Sequence, residues 1–382
     1  MSSDELAWAL AEAARSEALV SQDIASMTPY APGRPWRALA SELGVPAEEL
    51  LMLHANENPL GPSPKAKAAA ARHLDEAHVY PDGGGTLLRE KLAERHQVPV
   101  ESICLGNGSN ELIEMLVRTF VGHGETVVTA WPSFVVYRLA AQAAGREVLF
   151  APLRNERYDL ATMASLVDRR TKLVFIANPN NPTGTYVTKR QLAAFLDRIP
   201  RSVIVVLDEA YFEYAVADDY PNGLVDFRGH PRLVVLRTFS KIYGLAGLRI
   251  GYGVMDPAMV HYLDCVRQPY NVNSVAQAAA LAALDDEDHL RTSVQTVRDG
   301  LAELEKGLGA LGLQVVPSQA NFLLVRLERE AAPVVARLRT QGILVRDMRG
   351  YDLPTTIRLT VGTRAMNLRV LSAIEQALED SL

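Results

Sequence analysis

The chain is poor in cysteine, has no surplus of basic residues and contains no long hydrophobic run. Its 382 residues include two cysteines, Cys104 and Cys265, which lack the spacing of a metal site and whose scarcity indicates a reducing compartment. The net charge of -6 offers no basic surface for nucleic acid, so a small anion would have to be bound by local arginines. No apolar stretch is long enough to cross a bilayer. These absences predict a cytoplasmic protein that binds small molecules, with no metal, nucleic-acid or membrane partner.

What the chain does have is a regular alternation of apolar strands and helices. Between residues 63 and 284 short apolar runs alternate with helical periodicity, which is typical of a mostly parallel sheet covered by helices. From residue 285 onward the order changes to a long helix, several strands and two further helices, as in a smaller α+β domain of residues 285–382. Residues 1–62 contain an amphipathic helix and an arm that we expect to join the smaller domain. The predicted fold class is therefore α/β with a second, α+β domain.

Three apolar strands of the predicted sheet each lead to a polar residue that is suited to chemistry. These residues are Asn181, Asp208 and Lys241. Taken singly, each has an ordinary explanation, namely a tight turn, a helix N-cap and a surface lysine. Ligands of open α/β sheets bind outside the carboxyl ends of the strands, so a single bound cofactor would explain all three residues together.

The residue types fit pyridoxal phosphate. An amine such as that of Lys241 can form a Schiff base with an aldehyde cofactor. A carboxylate such as that of Asp208 would keep the pyridine nitrogen protonated, so that the ring can withdraw electrons. The Asn181 amide and the Tyr211 phenol can hydrogen-bond the ring hydroxyl.

A glycine-rich turn provides a candidate phosphate site. Residues 102–111 predict a strand, a turn with Gly106 and Gly108, and a helix start at which Ser109 and Asn110 present backbone amides to an anion. A capped helix after an ordinary turn is the alternative interpretation of this segment.

Other residues extend the candidate site. Ser240 and Arg249 lie close to Lys241 in sequence and could contact the phosphate, and Phe134 could stack on the pyridine face, although such aromatics also serve the core. A dinucleotide-dependent oxidoreductase would need a glycine where Glu111 stands, which disfavours that alternative. A non-catalytic ligand-binding protein on the same fold is a further alternative, disfavoured by the lysine.

Four motifs together resemble the fold-type I aminotransferases, which depend on pyridoxal phosphate. They are Asn-Pro-Asn-Asn-Pro-Thr-Gly at 178–184, Asp-Glu-Ala-Tyr at 208–211, Ser-Lys-Ile-Tyr-Gly-Leu-Ala-Gly-Leu-Arg at 240–249 and Ile-Arg-Leu-Thr-Val-Gly-Thr at 357–363. The resemblance covers most of the chain and is closest to the histidinol-phosphate aminotransferases. It implies transamination between an amino donor and a 2-oxo acid, within a homodimer whose subunits share active sites and whose interface includes part of residues 1–62.

The resemblance also implies roles for individual residues. The catalytic residues would be Lys241, Asp208 and Tyr211. The cofactor would be bound by Ser109, Asn110, Phe134, Asn181, Asp208, Tyr211, Ser240, Lys241 and Arg249, and by Tyr80 of the neighbouring subunit. The substrate would be bound by Tyr30, Asn181, Arg346 and Arg358.

The amino donor stays open at this point. Two arginines, Arg346 and Arg358, suit the dianionic phosphate of L-histidinol phosphate, since one carboxylate is matched by one guanidinium group. Arg346 could instead pair with Asp347, and Phe134 stands where close relatives often have tyrosine, so an aromatic amino acid is the alternative donor. A threonine-phosphate decarboxylase-like lyase shares much of the pattern. The first hypothesis is a step of histidine biosynthesis that converts histidinol phosphate and 2-oxoglutarate to imidazole acetol phosphate and glutamate.

Overall fold

The structure is a computed structural model that describes residues 19–29 and 35–379. Much of the N-terminal segment in which we expect an amphipathic helix lies outside the described residues, and so does Tyr30. The strands are β1 (Leu51–Leu53), β2 (Ile103–Gly106), β3 (Thr126–Trp131), β4 (Glu147–Arg154), β5 (Arg157–Tyr158), β6 (Thr171–Ala177), β7 (Ile204–Asp208), β8 (Leu233–Thr238), β9 (Gly251–Val254), β10 (Gln314–Val316), β11 (Phe322–Arg326), β12 (Ile343–Asp347) and β13 (Thr356–Thr360). The α-helices are α1 (Gln22–Ala25), α2 (Trp36–Leu43), α3 (Pro64–His73), α4 (Thr86–His96), α5 (Ser109–Phe120), α6 (Val136–Ala143), α7 (Leu160–Leu166), α8 (Lys189–Arg198), α9 (Gly223–Asp226), α10 (Pro257–Val266), α11 (Ser274–Leu284), α12 (Glu287–Ala310), α13 (Ala331–Thr340) and α14 (Arg364–Glu379).

The larger sheet has eight strands in the order β2-β9-β8-β7-β6-β3-β4-β5. Its central neighbours β4, β3, β6, β7 and β8 run parallel, whereas β9 is antiparallel to both β8 and β2. Helices connect the parallel strands, as α8 does between β6 and β7. The predicted, mostly parallel sheet with helical crossovers is confirmed.

The central strands are buried on both faces, which explains their continuous apolar sequences. Phe175 in β6, Val206 in β7 and Val234 in β8 are fully buried. A strand covered by helices on both sides has no solvent face and therefore no polar alternation. Strand β7 begins at Ile204, directly after a turn in which the Val203 N–H donates to the Pro200 carbonyl.

The smaller sheet has the strand order β1-β12-β13-β11-β10. Strand β1 pairs in parallel with β12, so that Leu53 lies opposite Val345, and β12 pairs antiparallel with β13, so that Arg346 lies opposite Arg358. A strand from the N-terminal segment thus completes a sheet whose other strands come from the last part of the chain. The domain boundaries at residues 62 and 284 stay predictions.

The register of the larger sheet brings the ends of its central strands together. Ala177, the last residue of β6, lies opposite Asp208, the last residue of β7. Asp208 in turn lies opposite Leu236 of β8, two residues before that strand ends at Thr238. The loops that follow these strands therefore leave the sheet at one edge, where a ligand site is expected.

The described residues include both cysteines of the chain. Cys104 is buried, Cys265 is exposed, and both are free thiols. No three His, Cys, Asp or Glu side chains in ranges 19–29 and 35–379 are placed to hold a metal ion. Over the same ranges, no helix has both the length and the apolar character needed to cross a membrane.

Candidate active site

One cavity collects most of the predicted site residues. Its volume is about 730 Å³, and its lining combines loops at the carboxyl edge of the larger sheet with residues of β12 and β13. The predicted residues that line it are Ser109, Asn110, Phe134, Asn181, Asp208, Tyr211, Ser240, Lys241, Arg249, Arg346 and Arg358. Tyr80 does not line this cavity of its own chain, and Tyr30 lies outside the described residues.

Lys241 presents its amine to this cavity from the loop after β8. Its Nζ atom donates a hydrogen bond of 3.1 Å to the Ala55 carbonyl and lies 5.7 Å from the centre of the Tyr211 ring. Burial lowers the pKa of Lys241 to about 8, and the positive charge of Arg358 is the second cause of this shift. Near neutral pH a larger share of this amine is uncharged than for an exposed lysine, which suits a nucleophile or a base.

Asp208 ends β7 and is 4% exposed. Its Oδ2 atom accepts a hydrogen bond of 2.7 Å from the Tyr137 hydroxyl, and Oδ1 accepts one of 3.2 Å from the Ala210 N–H. Burial raises the pKa of Asp208 to about 6, and the hydrogen bond from Tyr137 acts in the opposite direction. Within the described residues no ion pair compensates this carboxylate, so the site favours a ligand with a cationic group.

Tyr211 and Asn181 are held by partners on other elements. The Tyr211 hydroxyl accepts a hydrogen bond of 2.9 Å from Asn56 Nδ2, and Asn181 Oδ1 accepts one from Arg358 Nη1. Burial raises the pKa of Tyr211 to about 12, so its hydroxyl stays protonated. Each residue therefore retains a donor, the phenolic O–H or the amide NH₂, for a ligand oxygen.

A second group of residues is suited to an anion. Ser109 is the first residue of α5, where N–H groups without helical partners carry partial positive charge. Arg249 Nη1 donates hydrogen bonds to Ser240 Oγ at 3.4 Å and to the Ala246 carbonyl at 2.9 Å. Gly108 has a φ of 76°, and a Cβ atom there would collide with the Arg249 guanidinium. The glycine therefore leaves room for the guanidinium beside the start of the helix.

Two arginines of the smaller sheet supply further positive charge. Arg346 and Arg358 lie opposite each other on β12 and β13, and both line the cavity. Arg358 is 6% exposed and donates a hydrogen bond of 2.7 Å to the His54 carbonyl. Asp347 lies 3.8 Å from Arg349, and no carboxylate of the described residues forms an ion pair with Arg346. The alternative pairing of Arg346 with Asp347 is therefore not found. The guanidinium charge of Arg346 is available to a ligand.

The two predicted aromatic residues lie in different environments. Phe134 lines the cavity and packs edge-on against Tyr137, with ring centres 5.5 Å apart. Tyr80 is 79% exposed and stacks on Tyr270 at 4.7 Å. Phe134 can therefore contact a ligand of its own chain, whereas Tyr80 is exposed on the surface.

Sequence reasoning missed several polar residues of the cavity, among them His54, Asn56 and Tyr137. His54 and Asn56 follow the short strand β1, in a segment that the family resemblance included without assigning roles. Tyr137 lies on α6, three residues after Phe134. Phe134 precedes Val136, the first residue of this helix, so helix periodicity does not link the two side chains. The position of Tyr137 beside Asp208 depends on tertiary packing.

Fold and site together define an α/β enzyme whose ligands meet at the carboxyl edge of a mostly parallel sheet. Comparison with known families is more specific, since residues 48–374 match the family model described as "Aminotransferase class I and II". The chain belongs to this family.

Individual relatives agree with this assignment. Over 362 residues the chain is 49% identical to the histidinol-phosphate aminotransferase of Anaeromyxobacter sp. (strain Fw109-5), covering 94% of this chain and 99% of the relative. Identity to histidinol-phosphate aminotransferase 2 of Pseudomonas fluorescens (strain Pf-5) is 45%, covering 94% and 98%. A crystal structure of histidinol-phosphate aminotransferase from Sinorhizobium meliloti in complex with pyridoxal-5'-phosphate superposes with a TM-score of 0.87 at 28% identity, covering 95% and 98%. The predicted family and fold class are confirmed.

Proposed function

We propose that the protein is a pyridoxal-phosphate-dependent aminotransferase that uses L-histidinol phosphate as amino donor and 2-oxoglutarate as acceptor. The observation that carries this proposal is one cavity that contains Lys241 and Asp208 together with two arginines, Arg346 and Arg358. The products would be imidazole acetol phosphate and glutamate, in histidine biosynthesis. The activities named for the relatives support this choice of donor. A cytoplasmic location stays a prediction.

The residues of the cavity fit pyridoxal phosphate. Asp208 is a buried carboxylate without a cationic partner among the described residues, and a protonated ring nitrogen would supply one. Ser109, Ser240 and Arg249 form an anion-binding cluster for the phosphate, with room left by Gly108. When bound, the cofactor would act as the electron sink for the bond broken at the donor's α-carbon.

Protein groups would handle the protons of the reaction. Lys241 would accept the α-proton of the donor at its neutral Nζ and later return it, because its pKa of about 8 lies close to neutral pH. Asp208 would hold a proton on the ring nitrogen of the cofactor. Tyr211 and Asn181 would donate hydrogen bonds to the ring oxygen and so fix the orientation of the ring.

Two guanidinium groups would bind the anionic end of the donor. A dianionic phosphate matches Arg346 and Arg358 together, whereas a carboxylate is matched by one of them. No carboxylate among the described residues pairs with Arg346, which favours the phosphate over an aromatic amino acid. An aromatic donor is the second candidate, since Phe134 gives the cavity an apolar surface.

A homodimer would complete the active site. Tyr80 and Tyr270 form a stacked aromatic pair, and both are largely exposed in the single chain. Exposed aromatic pairs are typical of surfaces that a partner covers. Tyr80 would then reach the cofactor of the neighbouring subunit, as the family resemblance implies.

The test of this function compares kcat/KM for histidinol phosphate, histidine, tyrosine and phenylalanine, each with 2-oxoglutarate. Histidinol phosphate should be preferred, and Arg346→Ala should lower its kcat/KM by roughly 10- to 100-fold, mainly through KM. Arg349→Ala is the matched control, because Arg349 is exposed and pairs with Asp347 outside the cavity. A preference for an unphosphorylated aromatic donor would overturn the substrate and leave the aminotransferase family intact.

A further inference from the structure

His54 is a polar residue of the cavity to which neither the chemistry above nor the family resemblance gives a role. It follows β1 directly and lines the cavity. Its Nδ1 atom is buried and has no hydrogen-bond partner within ranges 19–29 and 35–379. Buried polar atoms are nearly always hydrogen-bonded in folded proteins, so a buried, unpartnered ring atom in a side chain that lines a ligand cavity indicates a functional role for this imidazole.

The smaller sheet places His54 in a row with the two substrate arginines. Leu53 lies opposite Val345, so the next residues along these parallel strands are His54 and Arg346. Arg346 lies opposite Arg358, whose Nη2 atom donates to the His54 carbonyl at 2.7 Å. Neighbouring strands are about 4.8 Å apart, so these three side chains span roughly 10 Å. We call this group the basic row.

Burial and the arginine charges of the basic row disfavour the protonated form of the His54 imidazole. Burial, followed by the positive charges of Arg346 and Arg358, holds the pKa of His54 below its usual value. Glu57, on the same loop, and Tyr351, after β12, also line the cavity. The other ionisable groups in its lining are Asp208, Tyr137, Tyr211, Lys241 and Arg249. Among the charged groups of the described residues, Arg346 and Arg358 are the ones that add to the effect of burial on the pKa of His54.

We propose that His54 is a third ligand of the donor's phosphate, beside Arg346 and Arg358, and that it takes up a proton from solvent when the phosphate binds. This inference rests on the function proposed above. A dianion cancels the charge of both guanidinium groups, which removes their repulsion of a proton on the imidazole, and a phosphate oxygen in contact with the ring favours the charged form against the effect of burial. The imidazolium can then donate a charge-assisted hydrogen bond to a phosphate oxygen.

Proton uptake also separates phosphate from carboxylate ligands. A carboxylate cancels one of the two guanidinium charges, so the remaining one still disfavours the imidazolium. Phosphate monoesters have a second pKa of about 6, so at pH 7.5 the ester is already dianionic and releases almost no proton of its own. His54 would thus strengthen the binding of phosphate donors more than that of aromatic amino acids.

The test uses the holoenzyme and two ligands that lack an amine and an imidazole, 3-phenylpropyl phosphate and 4-phenylbutanoate. Isothermal titration calorimetry at pH 7.5, in two buffers of different ionisation enthalpy, measures the protons taken up on binding. Wild-type enzyme should take up a large fraction of one proton with the phosphate and almost none with the carboxylate. His54→Gln should abolish this uptake, and it should raise KM for histidinol phosphate about tenfold with little change in kcat.

His289→Gln is the matched control. His289 donates through Nε2 to the Gly61 carbonyl at 3.1 Å but does not line the cavity, so its loss should leave proton uptake unchanged. The inference is overturned if both ligands cause equal uptake in the wild type, a comparison that needs no variant. It is also overturned if His54→Gln retains the uptake and the KM of the wild type. A failed preference for histidinol phosphate would instead contradict the proposed substrate, so the two failures can be told apart.

Discussion

Burial shifts the two groups that carry the proposed chemistry toward their neutral forms. It raises the pKa of Asp208 to about 6 and lowers the pKa of Lys241 to about 8. A carboxyl group with a raised folded-state pKa opposes folding above its unfolded-state pKa, and an amine with a lowered one opposes folding below its unfolded-state pKa. At neutral pH both shifts therefore destabilise the cofactor-free protein. A cofactor that brings a cationic ring nitrogen and an anionic phosphate would offset part of this cost.

Replacing Lys241 with methionine is expected to abolish turnover and to stabilise the cofactor-free protein. The buried amine opposes folding most strongly below pH 8, and the effect fades as the pH approaches the ordinary lysine pKa of 10.5. At pH 7 the free energy of unfolding should rise by on the order of 1 to 3 kcal/mol. Urea unfolding of both proteins at pH 7 and pH 10.5 measures the difference. A variant that is less stable than the wild type at pH 7 would contradict this account.

Tyr137→Phe tests whether the hydrogen bond from Tyr137 keeps the Asp208 carboxyl group ionised. The Tyr137 hydroxyl donates to Asp208 Oδ2 at 2.7 Å and lowers the pKa of that carboxyl against the effect of burial. Without this bond the pKa of Asp208 rises above about 6, so less carboxylate is present at neutral pH to hold the ring proton. The acidic limb of the kcat/KM profile should move up by about one pH unit, and kcat should fall roughly tenfold.

Tyr158→Phe provides the control for this substitution. Tyr158 is also buried, but its hydroxyl bonds Ser133 at 2.6 Å and the Ala177 N–H at 3.1 Å and makes no hydrogen bond to Asp208. Its removal should lower thermal stability and leave the acidic limb in place. An identical shift of the pH profile in both variants would show that general loosening of the core, and not the hydrogen bond, is responsible.

At the scale of elements, the helices and strands that can be predicted from the sequence are those that a local residue pattern specifies. The continuous apolar runs of β6, β7 and β8 identify buried parallel strands. Because ligands bind at the carboxyl ends of such strands, the sequence predicts that Asn181, Asp208 and Lys241 lie at one edge of the sheet. The helix start at Ser109 follows from the glycine turn before it. These elements could be predicted because their burial and their turns depend on neighbouring residues in the chain.

Other parts of the site depend on distant contacts that no local pattern encodes. Strand β1 has three residues, and its pairing with β12, which places His54 beside Arg346, joins segments far apart in sequence. Strand β9, Gly251–Val254, contains two glycines, which weaken its apolar signal. Tertiary packing likewise decides that Tyr137, and no other side chain of the described residues, donates a side-chain hydrogen bond to the buried Asp208 carboxylate.

The turn between β2 and α5 gives a prediction at this scale, because two glycines with the same φ have different surroundings. Gly108 and Gly124 both have a φ of 76°, so alanine strains the backbone at either position, and the ψ of 165° at Gly108 is itself nearly restricted to glycine. A Cβ atom at Gly108 meets the Arg249 guanidinium, whereas nothing lies within 4 Å of one at Gly124. Gly108→Ala should therefore weaken binding of pyridoxal phosphate by about tenfold or more, and Gly124→Ala should not.

Cofactor affinity is measured by titrating the apoprotein with pyridoxal phosphate and following its visible absorbance. Thermal unfolding of the two apoproteins measures the backbone strain of each substitution separately from its effect on cofactor affinity. Equal cofactor affinity in the two variants would contradict the anion-binding role of the Ser109, Ser240 and Arg249 cluster.

At the scale of the whole molecule, the segment after β1 links the two sheets. Asn56 N donates to Thr360 Oγ1 of the smaller sheet at 3.0 Å, and its Nδ2 atom reaches the Tyr211 hydroxyl beside the larger sheet. Asn58 donates to the Ile242 carbonyl at 2.7 Å and to Ser293 Oγ at 3.0 Å. The segment therefore fixes the basic row relative to the lysine loop. One cavity can therefore combine the residues proposed for the cofactor, beside the larger sheet, with those proposed for the substrate on the smaller sheet.

The proposed homodimer predicts that two inactive variants restore each other's activity. If Tyr80 serves the neighbouring subunit, a mixed dimer of Lys241→Ala and Tyr80→Ala chains contains one site with both the lysine and the tyrosine intact. When equal amounts of the two chains mix at random, about half of the dimers are mixed, and each mixed dimer has one intact active site out of two. Activity should therefore return to about a quarter of the wild-type value. The measurement is kcat after co-refolding the variants, with each variant refolded alone as the control. If Tyr80 acted in its own subunit, no mixed site would be complete, and activity that stayed at the level of the separate variants would refute the shared site.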